Sequence, residues 1–522
     1  MKSRIAVGAL ALATLTACGN GPAAQEPASG KTFTLVLGAD PGNLDPHFTS
    51  LASALQADRF LYDSLVNIDE HGKIVAGLAD KWEATTTTAT FTLRKGITCA
   101  GGAPLTAAQV AANINFVGDP KNASSRVGVY VPPGATAKGD DAAGTVTVTS
   151  PAPDPFLDRN VGSLQIVCGK GMADRGLLKQ GADGTGMFTV TEAVTGDHYT
   201  LTRRPDYAWG PGDWKTDQPG LPDKVVLQIV ANESTAANLL LSKAVNAVQL
   251  VGPDSQRVAA TKAFERSTEA PLGELWFNQK AGFPGADEAV RRALTQAIDL
   301  SQLAQVVGSG RGKPATGLII PGGPCGRNTI GSSLPAHDVN AAKAALDTAD
   351  WTAGADGVRA KNGTKLSMAL YYSTSLGPGM QAGAELVQTM WQGAGVDVTL
   401  RGVADAELGQ QIVGGQAPWS AVILPLGISL PTQAVPFMSG PTPPDGTNFA
   451  GIDNADYTAA VKAASAVAGS SGCAQWDAAE QALFKGVDIV PFVNSNVSVF
   501  GQAATFELSQ GSVTPGSIRM LG

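Results

Sequence analysis

Residues 60–113 read FLYDSLVNIDEHGKIVAGLADKWEATTTTATFTLRKGITCAGGAPLTAAQVAAN, and the order of signals within them decides the fold. The apolar run Phe60 to Ile68 ends at Asp69-Glu70-His71-Gly72, a cluster of turn formers. Thr90-Phe91-Thr92-Leu93 alternates polar and apolar side chains as a half-buried strand does. Gly101-Gly102 then turns the chain into Thr106-Ala107-Ala108-Gln109-Val110. Thr106 can cap a helix there, and Gln109 three residues on completes a capping box.

Outward from this stretch the alternation of strand and helix signals continues, which predicts an α/β chain. Strands are expected at Thr32 to Leu37, Lys224 to Val230 and Ala247 to Val251, with a helix from Ser234 to Lys243 capped by Ser234. Further on come one amphipathic helix from Asp287 to Val307, a helix from Asn340 to Trp351 and a strand from Leu366 to Tyr372. Pro378 to Gly393 reads as a helix because Pro378 falls in its first turn. A strand at Val396 to Leu400, a helix at Gln475 to Gly486 and an apolar strand at Ile489 to Val493 complete the pattern. With 522 residues the chain exceeds a single core, so two or three domains are expected. A hydrophobic share of 43% excludes a disordered chain, and a net charge of −8 argues against a nucleic-acid partner.

The first residues carry an address. Lys2 and Arg4 precede the apolar run Ile5 to Leu15, as in a secretory signal. The run ends Leu15-Thr16-Ala17-Cys18, which resembles the bacterial lipobox; the resemblance implies removal of residues 1–17 and a lipid on Cys18. Residues 18–31, small and polar, suit a flexible tether. The expected location is therefore outside the cell, lipid-anchored to the outer face of the bacterial cytoplasmic membrane.

The order YDSLV, G.IV.GLA..WE, FTLRKGI, G.PLTA..V is similar to that of the large extracellular solute-binding proteins serving peptide and nickel ABC importers. Other motifs extend the resemblance: Leu44-Asp45-Pro46, Gly184-Thr185-Gly186, Arg204-Pro205-Asp206-Tyr207, Val290-Arg291-Arg292-Ala293-Leu294 and Asn448-Phe449. It implies a two-lobed, periplasmic-binding-protein-like α/β fold with an extra small subdomain in lobe one. Lobe one would span residues 32–280 with the subdomain at about 76–185, lobe two 281–496, and residues 497–522 would return to lobe one. The remaining cysteines, Cys99, Cys168, Cys325 and Cys473, allow three pairings. Cys99–Cys168 and Cys325–Cys473 are expected, since each then lies within one lobe and leaves a hinge free.

The resemblance implies a solute held between the lobes. Asp40 and Pro41 follow the first strand, and Trp276, Phe277 and Asn278 lie on the lobe-to-lobe crossover. Trp419, Leu426, Gly427 and Ser429 belong to a loop lining the cleft, with Asn448 nearby. In peptide-binding relatives that loop supplies an aspartate to the peptide's ammonium group. Here residues 419–431 read WSAVILPLGISLP, with no acidic residue and Ser429 about where the aspartate would stand. An apolar, capped or anionic ligand, or an acid from elsewhere such as Asp40, fits this loop better. Trp419 is expected to act as an aromatic anchor, its loss weakening binding without unfolding the protein.

The expected function is capture of a peptide or peptide-like solute by hinge closure and delivery to ABC permease subunits, by a monomer needing no cofactor. The alternatives are another cargo (haem, a metal chelate, an oligosaccharide, an apolar small molecule), a non-transport sensor, or an exported hydrolase. Hydrolysis has little support: no G-x-S-x-G or H-E-x-x-H occurs, and no spacing links Asp40, Glu407 and Asp456. Residues 307–314, VGSGRGKP, resemble a phosphate loop, but Val307 and Pro314 replace the Gly and the Ser/Thr it needs. His47, His71, His198 and His337 are too widely spaced to suggest a metal site.

Overall fold

The structure, a computed structural model, describes residues 26–49, 51–179, 181–212 and 214–522. The signal segment, the lipidation site Cys18 and the first part of the tether lie outside the described residues.

Strand Thr32–Leu37 buries the apolar members of its TFTLVL pattern and pairs in parallel with Lys224–Ile229 and Ala247–Leu250. Strands His198–Arg203 and Phe188–Val194 extend this sheet antiparallel on one side. On the other side it runs through two long strands, Ile489–Gly501 and Phe264–Phe277. It then continues through Ala421–Ile423, Ser367–Ser373 and Asp397–Val403, so one eleven-stranded sheet passes through both lobes.

Each lobe has its own core. In lobe one Phe33, Phe60, Phe91, Phe188 and Tyr199 pack together, joined by Phe506 and Ile518 from the C-terminal segment. In lobe two the sheet separates two clusters. Leu275, Phe277 and Trp391 lie on one face, and Trp276, Trp419 and Phe449 on the other. The alternation along Leu275-Trp276-Phe277 is the period-two consequence of the pleat.

The subdomain is a four-stranded antiparallel sheet of Ala79–Ala84, Thr88–Leu93, Thr145–Thr149 and Thr136–Asp140. Helix Ala107–Gly118 lies on it, started by the Thr106–Gln109 capping box. A Cβ on Gly139 would meet the Ala107 carbonyl at 2.3 Å, so only glycine allows the helix to approach this closely.

Several elements differ from the sequence reading. The Phe60 to Ile68 run divides into the end of helix Ala52–Leu61 and strand Val66–Ile68. The Asp287 to Val307 segment divides into helices Glu288–Gln296 and Leu300–Val307. Asp299 causes that break: its carboxylate accepts from the Ser301 and Gln302 amides and caps the second helix. Helix Glu233–Leu241 is capped by Asn232, while the Ser234 hydroxyl donates to Asp254.

Disulfides Cys99–Cys168 and Cys325–Cys473 are present, closing spans of 69 and 148 residues. On the chain-entropy model each stabilises by about 4–5 kcal/mol. The two ends of the described chain lie side by side. The Ala28 amide donates to the Met520 carbonyl at 2.8 Å, and the Gly522 amide to the Glu26 carbonyl at 2.8 Å. Among the described residues no helix is long and apolar enough to cross a membrane.

Candidate functional site: the cleft between the lobes

The strands Phe264–Phe277 and Ile489–Gly501 are the chain's two passages between lobes, paired antiparallel from Phe264 opposite Gly501 to Trp276 opposite Ile489. Their register shifts on either side of Gly273. Pro271, which has no N–H, interrupts the ladder there. A Cβ on Gly273 would come within 2.2 Å of the Phe492 ring. These bulges make the joint between the lobes the least regular part of the sheet.

Beside this joint lies a cavity of about 1690 Å³, floored by Ser267–Ala270, Val497 and Val499. It exceeds the roughly 300–1,000 Å³ of drug-sized pockets. The lobe-one wall comes from helix Ala52–Leu61, the Asp69–Gly72 turn and residues Arg126–Tyr130; the lobe-two wall comes from Ile320–Gly323 and Leu426–Ser429.

The lobe-two loops are held to each other and from beneath. The Ile320 amide donates to the Ile428 carbonyl at 2.9 Å. Glu274, 1% exposed, rises from the crossing strand and accepts the Leu426 amide at 3.0 Å. Burial pushes its carboxyl from an ordinary 4.5 up to about 8, although the Leu426 amide opposes the shift. Glu480 accepts from the Thr329 hydroxyl and the Leu318 amide behind the other loop, and burial pushes it up to about 7.

The lobes meet at two further places. Gly72, at φ +78°, lies so close to Gly322 that a Cβ would come within 2.2 Å of the Gly322 carbonyl oxygen. Arg159 donates to the Gly72 carbonyl at 3.0 Å and fixes that turn. Elsewhere Phe156, from lobe one, is buried with Cys325, Cys473 and Trp476 of lobe two. There the Gly469 amide donates to the Pro155 carbonyl at 2.7 Å. The lobes are therefore in a closed arrangement.

Of the residues singled out from sequence, Leu426, Gly427 and Ser429 line the cavity. The Ser429 hydroxyl donates to Gln433 at 3.0 Å. Asp40 lies beside the lining residues Gly38 and Ala39, and its carboxylate accepts from Gly42, Gly196 and Tyr199, clasping a turn; Pro41 is buried next to it. The other five are buried inside lobe two and do not line the cavity. Trp276 donates to the Leu424 carbonyl, Phe277 stacks on Trp391, and Trp419 packs on Phe449. Asn278 donates to the Trp419 carbonyl at 2.9 Å, and Asn448 donates to the Gly440 and Ile452 carbonyls. Sequence reasoning missed Arg59, Arg126, Tyr130 and Gln433, all on the wall. Only their residue type could have marked them, since no motif surrounds them.

Among the described residues no group of three or more His, Cys, Asp or Glu could hold a metal ion. Two self-contained lobes joined by two strands beside a large cleft define a solute-binding protein of the periplasmic-binding type. The sequence profile of bacterial extracellular solute-binding proteins, family 5 (middle part) matches residues 73–434, and the chain belongs to that family.

Protein XP55 of Streptomyces lividans is 26% identical over 357 residues, 66% of this chain and 61% of that protein. Glutathione-binding protein GsiB of Escherichia coli K12 is 25% identical over 303 residues, 56% of each chain. The matched region thus spans about three-fifths of these relatives' length. Among solved structures, a Microbacterium hydrocarbonoxydans substrate-binding protein complexed with 4-hydroxybenzoate hydrazide superposes with TM-score 0.75 at 24% identity. That match covers 94% of this chain and all of the other. The Bacillus subtilis oligopeptide-binding protein AppA, in complex with a nonapeptide, gives 0.73 at 16% identity, covering 95% and 100%. At these identities the likeness concerns the fold.

Proposed function

We propose that this chain is the substrate-binding component of an ABC importer, closing its two lobes over a peptide or peptide-like solute and presenting it to permease subunits. The observation that carries the reading is the cavity of about 1690 Å³ lying between lobes that, among the described residues, are joined by two strands and small contacts. Hinge closure needs no catalytic residue; it needs a solute that binds the closed form better than the open one. Family membership and relatives that bind glutathione or a nonapeptide support a peptide-like cargo. In this reading the protein acts as a monomer, held outside the cell by a lipid on Cys18. Gly427 offers backbone groups to the solute, and Leu426 and Ser429 help to shape the same wall.

Native mass spectrometry of the protein purified without denaturant tests the reading. Release of masses that fragment as short peptides is the expected result. A single non-peptide mass would keep the receptor mechanism and overturn the cargo. Turnover of an added peptide would overturn the binding-protein reading itself.

A further inference from the structure

Two arginines on the lobe-one wall face the cleft without a carboxylate partner among the described residues. Arg59 lies in the last turn of helix Ala52–Leu61, half-buried, and its guanidinium donates to the Gln510 side-chain amide at 3.3 Å. Arg126 is 4% exposed; its Nε donates to the Pro46 carbonyl at 2.9 Å, and its Nη2 is buried with no partner. The Arg126 guanidinium sits over the Tyr130 ring at 5.3 Å, and the same phenol is the titratable group that acts on Arg59. Asp58 lies within electrostatic reach of Arg126, but both its oxygens are buried and unpartnered. Burial pushes that carboxyl up, against the pull of Arg126, which weakens it as a counter-charge for the arginine.

The carboxylates on the wall are already committed. Asp63 accepts from Tyr207 at 3.1 Å and Trp209 at 3.0 Å, and Asp69 accepts the His71 and Lys73 amides. Glu70 faces His71 across 3.8 Å. Glu233 accepts the Val251 and Gly252 amides, and Glu269 pairs with Lys313 at 3.1 Å. Arg59 and Arg126 are thus cleft groups that no carboxylate of the described residues pairs with, and closure without a counter-charge would leave the Arg126 guanidinium buried and unpaired. That costs several kcal/mol, whereas a carboxylate can take two parallel hydrogen bonds from each guanidinium.

We infer that Arg59, Arg126 and Tyr130 form an anion-binding subsite, and that the solute lays a carboxylate or similar anionic group against the lobe-one wall. The inference rests on the reading of the cleft as the solute site, and it names the chemistry of the ligand. It also accounts for the acid-free loop Leu424–Pro431: recognition is carried by the ligand's anion, with no carboxylate reserved for an ammonium group.

The test uses two libraries of N-acetylated tetrapeptides with neutral side chains, one with free C-terminal carboxylates and one amidated, and measures retention by the protein in equilibrium dialysis. The expected result is preference for the free acids by roughly tenfold or more. Arg59→Gln should erase that preference, and Arg126→Lys, which keeps the charge but loses the fork, should reduce it. Arg126→Gln is read only if its melting curve shows a folded protein. Equal retention of the two libraries overturns the subsite, as does a preference that survives Arg59→Gln. If neither library is retained, the peptide reading fails, and succinate serves as a separate probe in a thermal-shift assay. Stabilisation by succinate that Arg59→Gln abolishes would keep the subsite without the peptide, and absence of stabilisation would overturn both.

Discussion

Trp419 is 1% exposed, and its ring meets Phe449 with centroids 5.9 Å apart. In sequence it reads equally well as a ligand wall, because an aromatic side chain suits a core and a pocket alike. The surrounding packing decides, and Trp419→Ala should cost about 3–5 kcal/mol of lobe-two stability. A lower midpoint of urea unfolding checks this; an unchanged midpoint would put the ring outside the core. Asn278 and Asn448 were legible as special polar residues, but their amides satisfy backbone carbonyls inside lobe two. Glu274 carries a second prediction. Between pH 4.5 and about 8 the folded chain keeps a proton on Glu274 that the unfolded chain has lost, so stability falls as pH rises through that window. His47 acts at the acid end: burial lowers it from 6.5 to about 4, so stability falls as pH drops through that interval. Glu480, pushed up to about 7, acts in the same direction, so in urea unfolding Glu274→Gln should make the alkaline arm shallower, most clearly between about pH 7 and 8, while the acid arm remains.

At the scale of elements, the sequence was most readable where local chemistry and packing agree. The Thr106–Gln109 capping box and helix Pro378–Gly393 lie where their residues direct them. It was least readable where apolar periodicity runs on through a polar interruption, as at Asp299. Asp299→Ala should cost about 1 kcal/mol by removing the acceptor of two amides at the start of Leu300–Val307. Thermal unfolding would check this, and a loss near zero would mean that water replaces the cap. The strand expected at Ile489 to Val493 continues to Gly501, because its extension finds partners in lobe one that only the assembled sheet supplies. The cleft was less legible than the fold for the same reason. Its wall collects short pieces from helix Ala52–Leu61, Arg126–Tyr130 and Leu426–Ser429, whose proximity no local pattern encodes.

At the scale of the whole molecule, closure depends on how near the lobes can come. Gly72 and Gly322 touch backbone to backbone, and a larger residue at position 72 would act as a wedge. Gly72→Val should shift the population toward an open form and weaken solute binding, with some local strain because φ is +78°. Small-angle scattering should show a larger radius of gyration for the variant. The same radius as the parent would mean that this contact does not limit closure.

The joined ends have a mechanical consequence. Residues 26–28 and 520–522 run antiparallel along the edge of lobe one, tied by the Ala28–Met520 and Gly522–Glu26 bonds and by Lys31 on the Leu521 carbonyl. A pull applied between the two ends enters and leaves through that one edge, unzipping those bonds in turn. That edge takes the load before the two strands that carry lobe two.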